Sequence, residues 1–378
     1  MVLNIVSYLD YFFIGESMRI QGIDLARSFA IIGMIIVNFK IVFGADYGCF
    51  PLLIFTDFLS GKAAALFVTL AGLGVSLLTN TGRNNNDSHD LKKNRKDLII
   101  KAVILFTIGL SYMPIWPADI LHFYGIFILT GAFLIFSSNK AIIAIAALMP
   151  IIFLLLFSVI DYETNWNFQT LEYSDFWTPS GFITNLFYNG FHPIIPWISI
   201  FLMGMLLGRF DLNSHQTRIK ILRISSIVFI ATTLLSLSLI YIFAKLDPST
   251  PNEDIIALFG TTPMPPLPLY LLSGISLSYV VIVLSIIIGE KARNNFIIKA
   301  FSNTGKLALT IYVAHVLIGM GLIDETYNLE VDTFSVDFAV YYALGFSLLC
   351  IVFANLWLRK FKLGPLEYLF KWVAGKIK

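Results

Sequence analysis

The sequence is poor in charged residues, in cysteine and in hydrophilic stretches. Only 13% of its 378 residues are charged, against about a quarter in soluble domains, which excludes an ordinary globular protein. The formal net charge of +2 leaves no basic face of the kind that nucleic-acid binding needs, so we expect no nucleic-acid partner. Cys49 and Cys350 lie too far apart in sequence for a CxxC pair or another metal-ligand spacing. No hydrophilic stretch is long enough for a separate soluble domain.

Apolar residues, at 57% of the chain, dominate instead. Apolar stretches of about 20 residues, the length that crosses about 30 Å of hydrocarbon, recur along the whole sequence. The pattern predicts an all-α polytopic transmembrane bundle of about ten spans, with the lipid bilayer as its first partner. The predicted spans lie near residues 24–44, 52–79, 98–114, 120–137, 141–160, 191–209, 221–245, 266–288, 304–322 and 336–358.

Basic and acidic loops alternate along this series of spans. Basic residues cluster in the 80–97 loop, in later alternate connections and after residue 358, whereas the intervening loops are acidic, with Lys245 as their single basic residue. Because basic loops resist translocation, this segregation predicts that both termini are cytoplasmic. The protein is therefore expected to be a multi-pass protein of the cell inner (cytoplasmic) membrane.

The domain organisation is predicted to be simple. Residues 1–23 lack the basic region of a secretory signal and carry Asp10 and Glu16 among apolar residues, so we expect an interfacial N-terminal helix. That segment could instead belong to the first span. The remainder, 24–378, is expected to form a single transmembrane domain, in which the glycine-rich segment AGLGVSLL allows close helix packing.

Several polar residues lie within the predicted spans, where a charge costs about 2.5 to 3.5 kcal/mol. Asp24 and Arg27 stand three residues apart at the cytoplasmic end of the first span, and Asn38 follows about three helical turns later on the same face. Lys40 is expected to snorkel to the interface, and Asp57 to face a polar cavity at the outer end of the second span. A purely anchoring or structural role stays open for each carboxylate.

Three histidines fall at the outer level of the membrane or within it. His122 and His192 lie within a few residues of the outer surface, and His315 lies in the middle or outer half of its span, so the three could converge on one outward-facing cavity. A membrane histidine can deprotonate a hydroxyl or an amine near neutral pH. Each histidine could instead have a structural role, with its ring nitrogens hydrogen-bonded inside the protein. Their spacing offers no close pair of ligands, so no metal is predicted.

Four segments together resemble a known family. They read RIQGIDLARSFAIIGMIIVNF, PADILHFYGIFILTGAFL, NGFHPIIPWISIFLMGMLLGR and NTGKLALTIYVAHVL. In this order they resemble heparan-α-glucosaminide N-acetyltransferase-like proteins and their bacterial relatives. The closing LGPLEYLFKWV, with GKLALTIY, is similar to the C-terminal part of the bacterial YeiB-like membrane family, here about residues 220–378. The resemblance extends from Arg19 to Val373.

The resemblance implies a transmembrane acyltransferase that moves an acyl group from a cytoplasmic acyl-CoA, typically acetyl-CoA, to an extracytoplasmic acceptor. The acceptor would be a sugar, free or within a glycan, or another hydroxyl or amine. By resemblance, Asp24, Arg27 and Asn38 match the first-helix motif, and we assign them to donor binding. Asp57 matches the aspartate that opens the family's second span, and His315 matches a histidine late in its ninth or tenth helix. We place both in the catalytic group. A homodimer is compatible with the sequence, which does not require one.

One departure from the family concerns its proposed catalytic histidine, which lies in the loop between the first two spans. Here that loop reads GADYGCFPL and contains no histidine. Either His122 or His192 takes this role, with Asp57 or Asp119 orienting the imidazole, or this branch does different chemistry. A transporter or flippase for a small molecule or lipid-linked intermediate is the alternative, and it predicts paired broken helices. A non-catalytic membrane scaffold is a third.

Overall fold

A computed structural model of the protein describes residues 21–167, 172–324 and 334–376. The prediction of an all-α fold is confirmed, because helices make up nearly all of the regular structure in the described ranges. One two-residue strand pair, β1 (Trp166–Asn167) with β2 (Glu172–Tyr173), interrupts them. Residues 1–20 of the predicted interfacial helix lie outside the described residues.

The helices follow one another with short connections. In chain order they are α1 (Gln21–Val42), α2 (Phe50–Leu59), α3 (Lys62–Asn84), α4 (Ser88–Tyr112), α5 (Leu121–Leu134), α6 (Asn139–Phe157), α7 (Pro179–Thr184), α8 (Ile194–Leu207), α9 (His215–Leu246), α10 (Asn252–Phe259), α11 (Pro268–Lys291), α12 (Phe296–Lys306), α13 (Ala308–Ala314), α14 (Gly321–Asp324), α15 (Val336–Trp357) and α16 (Pro365–Lys376). Two π-helical turns join them, π1 (Asn185–Asn189) after α7 and π2 (His315–Met320) after α13.

Many helices begin where the sequence supplies a capping side chain. Ser138, Ser214 and Ser335 each accept a hydrogen bond from the backbone N–H three residues later. Asn295 accepts two such bonds at the start of α12. Such a cap satisfies a backbone donor that the first helical turn leaves unpaired, and each contributes about 1 kcal/mol.

The described chain is that of a multi-pass membrane protein. Six helices are long and apolar enough to cross a bilayer, or up to eight when two bent helix pairs each count as one span. The first bent pair combines Pro179–Asn189 with Ile194–Leu207, and the second combines Phe296–Lys306 with Ala308–Ile323. Each predicted span falls on a helix or on a bent pair, but the count of ten stays a prediction.

Contacts divide the described chain into two compact units. The first unit comprises the described residues of Met1–Leu59, Ser76–Ile100 and Val281–Lys378, and the second comprises those of Ser60–Val75 and Lys101–Val280. The expectation of one transmembrane domain over 24–378 stays a prediction.

The first unit is built around α1, which packs against α12, α13 and α15. The approach of α12 is so close that an added Cβ on Gly305 would overlap the carbonyl oxygen of Asp24. Towards α15, the rings of Phe39, Phe43 and Tyr342 lie 5.1 to 5.6 Å apart, a geometry in which each aromatic pair adds about 1 kcal/mol beyond burial.

The second unit is built around α8, almost all of whose residues are buried. It packs against α5 and α6. Glycines also allow α3 to contact α8 closely. An added Cβ on Gly72 of α3 would overlap the carbonyl oxygen of Phe201, and an added Cβ on Gly204 of α8 would overlap the carbonyl oxygen of Thr69. Gly72 belongs to the segment AGLGVSLL, so the predicted close packing there is confirmed.

Candidate functional site

A buried carboxylate and a buried imidazole meet at the start of α5. His122 Nδ1 lies 3.3 Å from Asp119 Oδ2, and the two side chains are 1% and 0% exposed. The same carboxylate oxygen accepts the backbone N–H of Leu121 at 2.8 Å, which caps the first turn of the helix. Asp119 is therefore fixed by the helix that it caps, and its position in turn fixes the imidazole.

The pairing determines which nitrogen of His122 carries the proton. A carboxylate only accepts hydrogen bonds, so the neutral imidazole donates through Nδ1–H and keeps a lone pair on Nε2. Among the described residues, Nε2 of His122 has no hydrogen-bond partner although it is buried. The arrangement has the parts of a general base: an oriented ring, a negative charge behind it and an open acceptor nitrogen.

A glycine on α4 sets the position of this histidine. An added Cβ on Gly109 would overlap the backbone nitrogen of His122 and press on its Cα. Only a residue without a side chain permits this contact between α4 and the first turn of α5. Gly125 repeats the crossing one turn further on, where an added Cβ would lie 2.7 Å from the carbonyl oxygen of Ala102.

His192 lies in the same unit and shares a neighbour with His122. The ring centroid of Phe123 is 4.0 Å from that of His122 and 5.9 Å from that of His192. The opposite side of His192 packs on Trp197 at 4.7 Å. Nδ1 of His192 is also buried without a hydrogen-bond partner in the described ranges. The structure thus brings two of the three predicted histidines around one phenylalanine.

The loop that follows α6 is held by one buried asparagine. Asn189 donates to the carbonyl oxygens of Tyr162 and Thr164 at 3.0 and 2.8 Å, and its side-chain oxygen accepts from the Tyr173 hydroxyl at 2.9 Å. Its own carbonyl accepts the indole N–H of Trp166. Four hydrogen bonds at the end of π1 therefore order this loop. Sequence analysis missed Asn189, although two asparagines four residues apart in an apolar segment were a usable signal.

A cavity of about 580 Å³ opens beside this loop. Phe176 lines it, and the Phe176 ring stands edge-on to that of His122 with centroids 6.5 Å apart. Its described lining also includes Trp166, Glu172, Tyr173, Asp175, Trp177 and Asn185. Burial raises the pKa of Tyr173, and hydrogen bonds with Asn165 and Asn189 only partly oppose that rise, so the phenol is protonated at neutral pH. The cavity is thus aromatic, with acidic side chains in its wall.

His315, the third histidine of the predicted convergence, lies in the first unit. Asn38 Nδ2 lies 3.0 Å from His315 Nε2, and Nδ1 of His315 bonds the carbonyl oxygen of Tyr312. Because an amide NH₂ only donates, Nε2 accepts and Nδ1 donates, so both ring nitrogens are occupied. His315 is fully buried. It could accept a proton only after one of these bonds breaks.

The remaining predicted residues of the first unit form ion pairs. Arg27 Nη1 lies 2.7 Å from Asp24 Oδ1 near the start of α1, as the spacing of three residues allows. Lys40 Nζ lies 2.5 Å from Asp57 Oδ1, and the Asp57 side chain is 66% exposed. The described residues contain no group of three His, Cys, Asp or Glu side chains that could hold a metal ion.

Comparison with protein-family profiles gives a match over most of the chain. The profile of the heparan-alpha-glucosaminide N-acetyltransferase catalytic family matches residues 19–246, more than half of the sequence. The chain belongs to this family. Its matched region contains Asp24, Arg27, Asn38, Asp57 and the site residues that surround α5.

A second profile continues the match toward the C-terminus. It describes a protein of unknown function (DUF418), the YeiB-like family, and covers residues 207–376, including His315. The predicted relation to both families is confirmed. Comparison with curated proteins gives no match.

Proposed function

We propose that the protein is an integral membrane acyltransferase that moves an acetyl or similar acyl group from a cytoplasmic acyl-CoA to a hydroxyl or amine of an extracytoplasmic acceptor. In this proposal the acceptor hydroxyl or amine gives its proton to Nε2 of His122. The acceptor atom then bonds to the acyl carbon, the C–S bond of the thioester breaks, and CoA leaves as the thiolate.

The observation that carries this proposal is the Asp119–His122 pair. The carboxylate behind Nδ1 stabilises the imidazolium that forms when Nε2 takes the proton, and burial strengthens that interaction. The membership of the chain in the N-acetyltransferase catalytic family supports the acyl-transfer class. His192, which shares Phe123 with His122, is the second candidate for the base.

Donor binding is proposed for the first unit. Arg27, a quarter exposed and paired with Asp24, can attract the phosphates of an acyl-CoA together with the basic residues of segment 80–97, where α3 ends and α4 begins. The side chain of Asn38 is hydrogen-bonded to His315. The predicted role of Asn38 in donor binding stays a proposal. We keep the ten-span topology, with both termini cytoplasmic and the protein in the inner membrane, because the alternation of basic and acidic loops supports it.

Inside-out vesicles from cells that express the protein test this proposal, because they expose the cytoplasmic face to added donor. Radiolabelled acetyl-CoA should label the glycan or lipid fraction of these vesicles, and right-side-out vesicles should stay unlabelled. Absence of label above vesicles without the protein would refute acyl transfer.

The same assay tests the Asp119–His122 pair. Asp119→Asn keeps an oxygen that can cap α5 but removes the charge behind His122, so we expect transfer to fall about 100-fold. Asp254→Asn, an exposed carboxylate in α10 of the same unit, is the matched control and should leave the rate unchanged. Equal rates for the two variants would remove Asp119 from the mechanism.

The bent helix pairs favour transport as a second candidate function. The two pairs are bent by 46° and 72°, and each contains a π-helical turn. Discontinuous helices form the substrate sites of many transporters. A transporter would move its substrate in the absence of acyl-CoA, whereas the acyltransferase proposal predicts that labelling of the acceptor depends on the donor.

A further inference from the structure

The cavity beside the loop after α6 differs from the His122 site in the chemistry of its wall. Rings from Trp166, Tyr173, Phe176 and Trp177 line it, together with Asn185 and two carboxylate side chains. The rings of Trp166 and Tyr173 meet at right angles with centroids 5.1 Å apart, and those of Phe176 and Trp177 do so at 5.0 Å. Two edge-to-face pairs thus form a rigid aromatic surface.

The charge of this wall is negative. Glu172 and Asp175 both line the cavity, and its described lining contains no lysine, arginine or histidine. In the described ranges the Asp175 carboxylate makes no hydrogen bond or ion pair. The sequence between residues 102 and 208 contains no arginine and one lysine, Lys140, which lies at the start of α6. A cavity lined by charges of one sign concentrates ligands of the opposite sign.

We propose that this cavity binds a small organic ammonium group, which contacts the aromatic rings through cation–π interactions and the two carboxylates through charge. Aromatic rings attract such a cation within about 6 Å of their centroids, and quaternary ammonium groups use this mode of recognition. The volume of about 580 Å³ falls in the range of small-molecule sites. A neutral sugar would stack on the same rings but would gain nothing from the negative charge of the wall.

The inference concerns binding and does not require acyl transfer. Tritiated choline is the probe, and its binding is measured by scintillation proximity on the full chain in nanodiscs without acyl-CoA. We expect saturable binding, with 3,3-dimethylbutanol, the neutral analogue of the same shape, competing at least 10-fold more weakly than unlabelled choline. Equal competition by the neutral analogue, or by glucose, would overturn the proposal.

Variants locate the binding to this cavity. The double variant Glu172→Gln and Asp175→Asn should weaken choline binding at least 10-fold, and asparagine tolerates the left-handed backbone of Asp175, whose φ is 59°. Trp177→Leu, at a side chain 70% exposed and so without effect on folding, should weaken it several-fold. Wild-type affinity in these variants would refute the site.

Three control variants separate binding in this cavity from binding elsewhere on the protein. Trp372→Leu, at an exposed tryptophan of α16, and Asp254→Asn should bind choline like the wild type. His122→Gln should also bind normally, so a failure of acyl transfer and a failure of this inference give different results. Affinities in phosphatidylcholine and phosphatidylglycerol nanodiscs are compared at high ionic strength, which screens the anionic phosphatidylglycerol surface. Weaker affinity in phosphatidylcholine would then identify a lipid headgroup as the source of the cation, and equal affinity would identify a free molecule; either result supports the shared chemistry.

Discussion

Two buried histidines of this protein have opposite hydrogen-bonding environments. His315, in the first unit, bonds Asn38 through one nitrogen and the carbonyl of Tyr312 through the other. His122, in the second unit, bonds Asp119 through one nitrogen and leaves the other without a partner in the described ranges. Both are inaccessible to solvent, so burial does not distinguish them.

The difference shows how a reactive histidine can be separated from a structural one. The Asn38 amide donates to Nε2 of His315 and the Tyr312 carbonyl accepts from Nδ1, so the uncharged imidazole is satisfied and has no lone pair left to take a proton. A carboxylate behind His122 does so, and the open Nε2 leaves a place for a substrate proton. We therefore propose a structural role for His315 and a catalytic role for His122, and mutation can test both.

The largest expected effect on stability is at His315, because both of its ring nitrogens are hydrogen-bonded. His315→Ala leaves Asn38 unpaired and opens a cavity, so we expect a loss of about 2 to 4 kcal/mol in unfolding free energy. Denaturation in detergent measures it. Asn38→Ala should cost less on top of His315→Ala than in the wild type, because the bond that it removes is already lost. Additive losses would contradict the pairing.

A smaller effect, on activity, is expected at Gly109. Gly109→Ala forces α4 away from the backbone of His122, and we expect transfer to fall about 10-fold because a displacement of about 1 Å misplaces the base. Gly345→Ala is the matched control, since its added Cβ would meet nothing within 4 Å. A rate for Gly109→Ala equal to that of the control would show that this packing does not position the site.

The smallest effect is expected at Asp57. Its ion pair with Lys40 is largely exposed, and such pairs contribute about 0 to 1 kcal/mol. Asp57→Asn should therefore change both the unfolding midpoint and the transfer rate only slightly. A loss of activity as large as that of Asp119→Asn would instead support the predicted place of Asp57 in the catalytic group.

The positions of the helices and the pairs of site residues that are close in sequence could be predicted from the local sequence pattern. Apolar length predicted where the helices lie. The three-residue spacing brings Arg27 to Asp24 on one turn of α1, and it brings His122 to Asp119 at the start of α5. These features depend on neighbours in sequence, so a single sequence contains them.

The contacts between distant segments could not be predicted in the same way. Asp57 was expected to face a cavity and Lys40 to snorkel, yet the turn between α1 and α2, with Gly44 and Gly48 at positive φ, brings the two side chains together. The bond from Asn38 to His315 joins residues that are 277 positions apart. Such pairings depend on which helix faces meet, and hydropathy, which is nearly uniform around α1, does not specify its partners.

The most direct test of these two assignments compares His122→Gln with His315→Gln in one preparation, with acetyl transfer and thermal unfolding measured on the same samples. We predict that His122→Gln loses transfer by about 100-fold at temperatures where the variant is folded, whereas His315→Gln keeps transfer within about threefold wherever it is folded. The reverse pattern, with activity lost at His315 and kept at His122 in folded protein, would contradict both assignments.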